Sequence, residues 1–374
     1  MAVMTVKVLE YFKREKVLTL ALLLAAVSMF IVPPDRGYGE YMDLRVLALL
    51  FCLMLLVKGL QSVGLFDVMI QKVFGGVKRS RAMCRILVLL CFFTSMLITN
   101  DVALITFVPF AILTLRLCGQ ERLTIRVVVL QTIAANLGSM ATPIGNPQNL
   151  YLFSASGMGA GEFLLTMLPL TALSLALILL ATQIIPNEEI RLTLQGGATI
   201  SSRGELVAYC GLFIVNLLVV LRVFDWPPAL IITLLGVVAL RRWKLLMQVD
   251  YALLITFVGF FVFVGNLGRM DAVSAWLAKL LTGREILVSA LLSQVMSNVP
   301  AALLLSGFTE NFKGLMLGTN AGGLGTLIAS MASLISYKLY AAQPNAEKGK
   351  YFAMFTLYNV AGLILLLGFC ALVY

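Results

Sequence analysis

The chain has 374 residues, of which 60% are hydrophobic and only 12% are charged. So little polar surface cannot cover a soluble globule, which excludes a water-soluble domain and places the chain in a bilayer. The net charge of +10 could serve a nucleic-acid partner, but the lysines and arginines sit in short segments between apolar runs, where they act as topology signals. No nucleic acid is expected.

A membrane helix needs about 20 mostly apolar residues. In chain order, such stretches predict spans over 17–33, 43–60, 124–154, 163–185, 205–221, 228–240, 250–267, 314–340 and 351–373, about nine crossings. The first ends in Val32-Pro33-Pro34 without a small-residue cleavage site, so it reads as a retained span, not a signal peptide. Two further apolar runs, 83–116 and 285–309, carry polar tips near their centres, Thr99-Asn100-Asp101 and Ser297-Asn298. Non-helical backbone at membrane depth persists only where protein or a water-filled cavity satisfies it. Both runs are therefore expected to be re-entrant hairpins that enter and leave on one side. Each follows a short amphipathic stretch, near Gly64-Leu65-Phe66-Asp67 and near Gly268-Arg269-Met270-Asp271.

With the N-terminus cytoplasmic and the C-terminus outside, most of the 28 lysines and arginines fall inside, among them Lys7, Lys13, Arg14, Arg79, Arg81, Arg122, Arg126 and Arg241. An odd number of crossings then separates corresponding units, which inverts the second copy. The expected organisation is a first repeat over 1–185, a flexible cytoplasmic linker over 186–204 with Gly196-Gly197 and Ser201-Ser202, and an extra span plus the inverted repeat over 205–374. The fold class is all-α, a polytopic membrane protein with two re-entrant hairpins and two broken helices.

The functional signal is a repeated phrase. NLGSMATPIGNPQN (136–149) and NAGGLGTLIASMAS (320–333) pair Asn136 with Asn320, Thr142 with Thr326, and Asn146 and Asn149 with Ser330 and Ser333. Gly-interrupted apolar segments at matching places in two halves mark a transporter with a binding site at broken helices. Breaks expose free N–H groups on one side and free carbonyls on the other, which attract anions and cations respectively. Asn100, Asn136, Asn146, Asn149, Asn298 and Asn320, with Thr142, Thr326, Ser297 and Ser330, supply neutral donors and oxygens around them. Asp101 is the one acidic residue expected near midplane. It reads either as a proton or cation carrier or as the cap of a helix running from Val102. The six cysteines lack paired ligand spacing, so neither zinc nor disulfides are implied and no cofactor is expected.

TNDVALITFVPF (99–110) resembles arsenite-permease and related anion-permease sequences. TPIGNPQN (142–149), SNVPAALLLSGF (297–308) and NAGGLGTLIAS (320–330) resemble signatures of the ion transporter superfamily, which includes citrate and divalent-anion transporters. The resemblance implies a homodimer in which a transport domain moves elevator-like against a scaffold. It implies cation sites, possible sodium, at Thr99, Asn100 and Gly145 and at Ser297, Asn298 and Ala329, with substrate between the tips. Divalent-anion transporters read Ser-Asn-Thr at both tips, whereas Asp101 and Val299 occupy the third positions here.

The expected function is secondary transport of a small anion or oxyanion across the plasma (inner) membrane, coupled to Na+ or H+. Sodium/proton antiport without an organic substrate is the alternative. An enzyme is disfavoured by the lack of histidine and of paired acid/base groups at depth, and a primary pump by the lack of a phosphate-cradling Gly-Lys-Ser/Thr phrase. The expected partners are a small anionic solute, membrane lipid and a second copy of the chain.

Overall fold

A computed structural model describes residues 15–74, 77–190 and 199–374. Lys7, Lys13, Arg14 and Gly196-Gly197 lie outside the described residues.

The outer set comprises α1 (Lys16–Ile31), α2 (Leu44–Ser62) and α3 (Leu65–Phe74) from the first half. The inner set of that half follows: α4 (Ser80–Thr94), α5 (Asn100–Leu117), α6 (Thr124–Ser139), α7 (Pro147–Ser156) and α8 (Ala160–Gln183). The extra span is α9 (Arg203–Val220). The second half repeats the order with α10 (Trp226–Ala239), α11 (Tyr251–Gly268) and α12 (Asp271–Leu281) outside. Its inner set is α13 (Glu285–Met296), α14 (Asn298–Ser306), α15 (Phe312–Ala321), α16 (Met331–Ala341) and α17 (Lys348–Val373).

Local chemistry sets these boundaries. Val32, the residue before Pro33, leaves the helical region and ends α1. Asp43 and Asp250 occupy matching places before α2 and α11, and each carboxylate accepts a backbone N–H three residues on, from Val46 at 2.9 Å and Leu253 at 3.0 Å. Asn146 and Pro147 open α7 as a cap followed by proline at the first helical position. The expected interruptions at 95–99, 140–146, 297 and 322–330 are all present.

The two halves pack alike. α6 lies against α4, α5, α8, α16 and α17, and its counterpart α15 lies against α13, α14, α17, α7 and α8. Both helices are buried on every face, from Val127 through Ser139 and from Gly314 through Ala321. They form the core of the inner set. In the outer set α1 lies along α11, and correspondingly α10 lies along α2.

Six helices among the described residues are long and apolar enough to cross a membrane, and α1, α10 and α13 are shorter apolar helices. Exposed Leu165, Leu180, Val207, Ile231, Leu235 and Leu357 give the outer surface an apolar character suited to lipid, not water. This is a polytopic all-α membrane protein. One of the six long helices is α5, whose 18 residues span about 27 Å, so the second arm of the first hairpin is longer than a re-entrant segment requires. Its counterpart α14 has only 9 residues.

The join expected to be a flexible linker is docked at both described ends. Ser80 Oγ donates to Pro186 O at 2.7 Å and accepts from Glu188 N at 2.9 Å, while Ser201 N donates to Val63 O at 3.1 Å. Arg122 and Gln120 bond the Glu188 carboxylate and hold its pKa below the usual range.

Candidate functional site

Each hairpin tip is bonded to the break that follows it, in the same way in both halves. Asn100 N donates to Gly145 O at 3.1 Å, and Asn298 N donates to Ala329 O at 2.9 Å. Asn100 Oδ1 accepts from Asp101 N, and Asn298 Oδ1 accepts from Val299 N, both at 3.0 Å. Thr142 Oγ1 donates to Met96 O, and Thr326 Oγ1 donates to Gln294 O. The threonines thus fasten the break to the arm before the tip. Glycine is required where the backbones meet: a Cβ at Gly145 would lie 2.1 Å from Ser139 O, inside any permitted contact.

Behind the tips lies a buried amide cluster that joins the halves. Asn136 Oδ1 accepts from Asn100 Nδ2 and from Ser330 Oγ, each at 2.9 Å, and Asn136 Nδ2 donates to Gly323 O and Ser333 Oγ. Asn146 Nδ2 donates to Asn320 Oδ1 at 3.1 Å, and Asn320 Nδ2 donates to Asn149 Oδ1 at 2.6 Å. These amides bond to each other and not to open space. Buried polar groups satisfied in this way rigidify a core.

In front of the tips is a cavity of about 30 Å³, lined by Asn100, Asp101, Pro147, Gln148, Ser297, Asn298, Ser330 and the first turns of α1 and α11. It has room for an ion or a water or two, since one water needs about 10–15 Å³. Of the expected site residues, Asn100, Asp101, Ser297, Asn298 and Ser330 line it, and Thr99 and Asn146 line an adjoining cavity of 160 Å³. Asn136, Thr142, Gly145, Asn149, Asn320, Thr326 and Ala329 line neither and stand behind the wall as its support. Both proposed cation sets are brought together, Thr99 and Asn100 beside Gly145 and Ser297 and Asn298 beside Ala329.

The tips differ in two respects. Ser297 has φ 80°, a strained conformation for a residue with a side chain, whereas Thr99 has φ −59°. Asn100 spends its amide on Asn136, whereas Asn298, which lines the cavity, has an Nδ2 that makes no hydrogen bond among the described residues. The helix-cap reading of Asp101 is corrected: α5 starts at Asn100, whose own side chain bonds Asp101 N, and the Asp101 carboxylate makes no hydrogen bond among the described residues. The asparagine one position earlier reaches the free N–H first, and Asp101 lines both cavities.

Sequence reasoning missed Gln148, Gln294, Glu15 and Asp250. Gln148 is buried, lines the cavity and has no partner among the described residues. Its place within TPIGNPQN was a signal, but it has no match in the second phrase. Gln294 bonds Gly322 O, Leu324 O and Thr326 N across the second break. Glu15 and Asp250 add acidic groups to the cavity wall from the starts of α1 and α11.

The citrate transporter family model matches residues 1–314. An uncharacterized transporter of Methanocaldococcus jannaschii is 30% identical over 321 residues, 86% of this chain and 87% of that protein. The inner membrane protein YbiR of Escherichia coli is 33% identical over 318 residues, 84% of each. The silicon efflux transporter LSI3 of Oryza sativa is 34% identical over 156 residues, 40% of this chain and 31% of that protein.

Proposed function

The chain belongs to the citrate transporter family, and from that premise we propose that it is a secondary carrier of a small anion or oxyanion, coupled to Na+ or H+. It is a transporter and not an enzyme. The observation that carries the proposal is the pair of matched tips around one cavity, with the unspent amides of Asn298 and Gln148 and the unbonded Asp101 carboxylate facing it. Neutral amide donors replace the water of an anion, and a carboxylate in the same cavity needs a cation or proton when the anion arrives. Citrate in the family name and silicon in the name of the rice relative both support an oxygen-rich solute.

The two cavities touch the first turns of α1 and α11 and the middle of α2 as far as Lys58, and the positive-charge distribution assigns those starts of α1 and α11 to the cytoplasm. That placement supports an inward-facing carrier whose inner set shifts against the outer helices, within a homodimer. It also supports the division into a first repeat over 1–185 and an extra span plus an inverted repeat over 205–374. The acidic groups Glu15, Asp101 and Asp250 around the cavity favour one second reading, sodium/proton antiport.

Proteoliposomes loaded under a sodium or a pH gradient decide between the two. Uptake of labelled citrate, sulfate, arsenite or silicate that depends on either gradient supports the carrier. Sodium-driven proton movement with no uptake of any of the four supports antiport.

A further inference from the structure

Lys58 lies in the apolar helix α2, one turn from its end, and is half-buried. It lines the 160 Å³ cavity together with Thr99, Asp101 and Asn146 of the first tip and break and with Gln248 and Asp250 from the approach to α11. Among the described residues, Lys58 forms no ion pair or hydrogen bond, and the Thr99 hydroxyl and the Gln248 amide form no hydrogen bonds. Three kinds of donor therefore border one volume without bonding each other or the Asp101 and Asp250 carboxylates that border it too. A lysine within a membrane helix is costly and marks a functional place. Near a helix end it can also snorkel to the membrane surface, but this side chain is half-buried and borders a cavity shared with the first tip.

We infer that Lys58, with Thr99 and Gln248, forms an anion subsite at the mouth of the tip cavity, which takes a carboxylate or oxyanion group of the solute. This inference rests on the anion-carrier reading above. The ammonium supplies charge from the outer helices, while the tips supply only neutral amides and one carboxylate. Asp101 and Asp250 share the cavity and repel an anion there. The subsite is then filled most tightly when a cation or proton neutralises Asp101. Loading of anion and coupling ion is thereby made mutually dependent at one place, without a conformational step.

The test is thermal stabilisation of the purified full chain in detergent by citrate, sulfate and silicate, each titrated separately. For the probe that stabilises the wild type, Lys58→Gln is expected to raise the half-saturating concentration by about tenfold or more. Lys58→Arg, which keeps the charge, is expected to stay within about threefold of wild type. Asp101→Asn is expected to move it the other way. If Lys58→Gln is not folded, Lys58→Cys in a background without the native cysteines takes its place: an aminoethyl thiol reagent restores affinity and a sulfonatoethyl reagent does not. Unchanged affinity in Lys58→Gln, or equal recovery with both reagents, overturns the subsite and leaves the carrier reading standing. If none of the three probes stabilises the wild type and neither these nor arsenite enters its proteoliposomes, both the subsite and the carrier reading fall.

Discussion

Replacing Asn136 by alanine removes the one side chain that bonds the first tip, the second break and α16 at once. Its Oδ1 accepts from Asn100 Nδ2 and Ser330 Oγ, and its Nδ2 donates to Gly323 O and Ser333 Oγ at the longer distances of 3.4 and 3.3 Å. The two short bonds decide the magnitude. Each leaves a buried donor without a partner, at about 1–3 kcal/mol apiece, so a loss of about 2–6 kcal/mol is expected. The lower half of that range applies if water enters the space left by the amide. Asn298→Ala removes only Oδ1 contacts with Ser297 and Val299, because its Nδ2 is unbonded. It should cost about 1 kcal/mol while transport is lost. Denaturant unfolding in detergent, followed by helicity and compared with flux in proteoliposomes, separates the two roles. An Asn136→Ala protein with a wild-type midpoint would show that the amide cluster is not what joins the halves. Asn100→Ala should resemble both variants, since that side chain supports the cluster and lines the cavity.

Asp101→Asn should leave the fold intact, because the carboxylate caps nothing, and should uncouple flux from an imposed pH or sodium gradient while solute binding stays measurable; gradient-driven flux at the wild-type rate refutes the coupling role. For topology, a cysteine at Asp225 should react with an impermeant external thiol reagent and one at Ser201 should not, both positions being exposed, on a background without native cysteines; the reverse pattern inverts the orientation. Ser80 is unsuitable as a reporter because it is buried. Asp35 is held below the usual carboxylate range by its bond to Arg269. Its folded-state pKa is depressed, so the contribution is present above the unfolded value and lost as pH falls through the folded one; Asp35→Asn should flatten stability against pH in that acid window, and an unchanged pH profile counts against the pairing.

The helices and their breaks were legible because each rests on local chemistry: apolar runs of sufficient length, prolines after Ile31, and Gly and Asn at 136–149 and 320–333. The grouping of tips with breaks came from the family resemblance alone, and the matching phrases make the same backbone bond twice, as Asn100 with Gly145 and Asn298 with Ala329 do. What the amides do was not legible. Asn100 and Asn298 are the same residue in matching places, yet one is spent on Asn136 and the other is free. The second phrase has Asn320 opposite Asn136, but Asn320 turns to Asn149 and Met316 O. Which acceptor an amide reaches depends on side chains brought in from the other half, and the matching of phrases carries no information about that choice. Lys58 and Asp250 were hidden by the same limit at longer range. Each looks like an ordinary feature of its own helix, a basic residue one turn from its end and an N-cap, and only the packing of α2 and α11 about the first tip brings them to one cavity. Asp250 matches Asp43 before α2, whereas α11 carries no lysine to match Lys58, so the charge gathered beside the first tip comes from how the two halves pack and not from the repeated phrases.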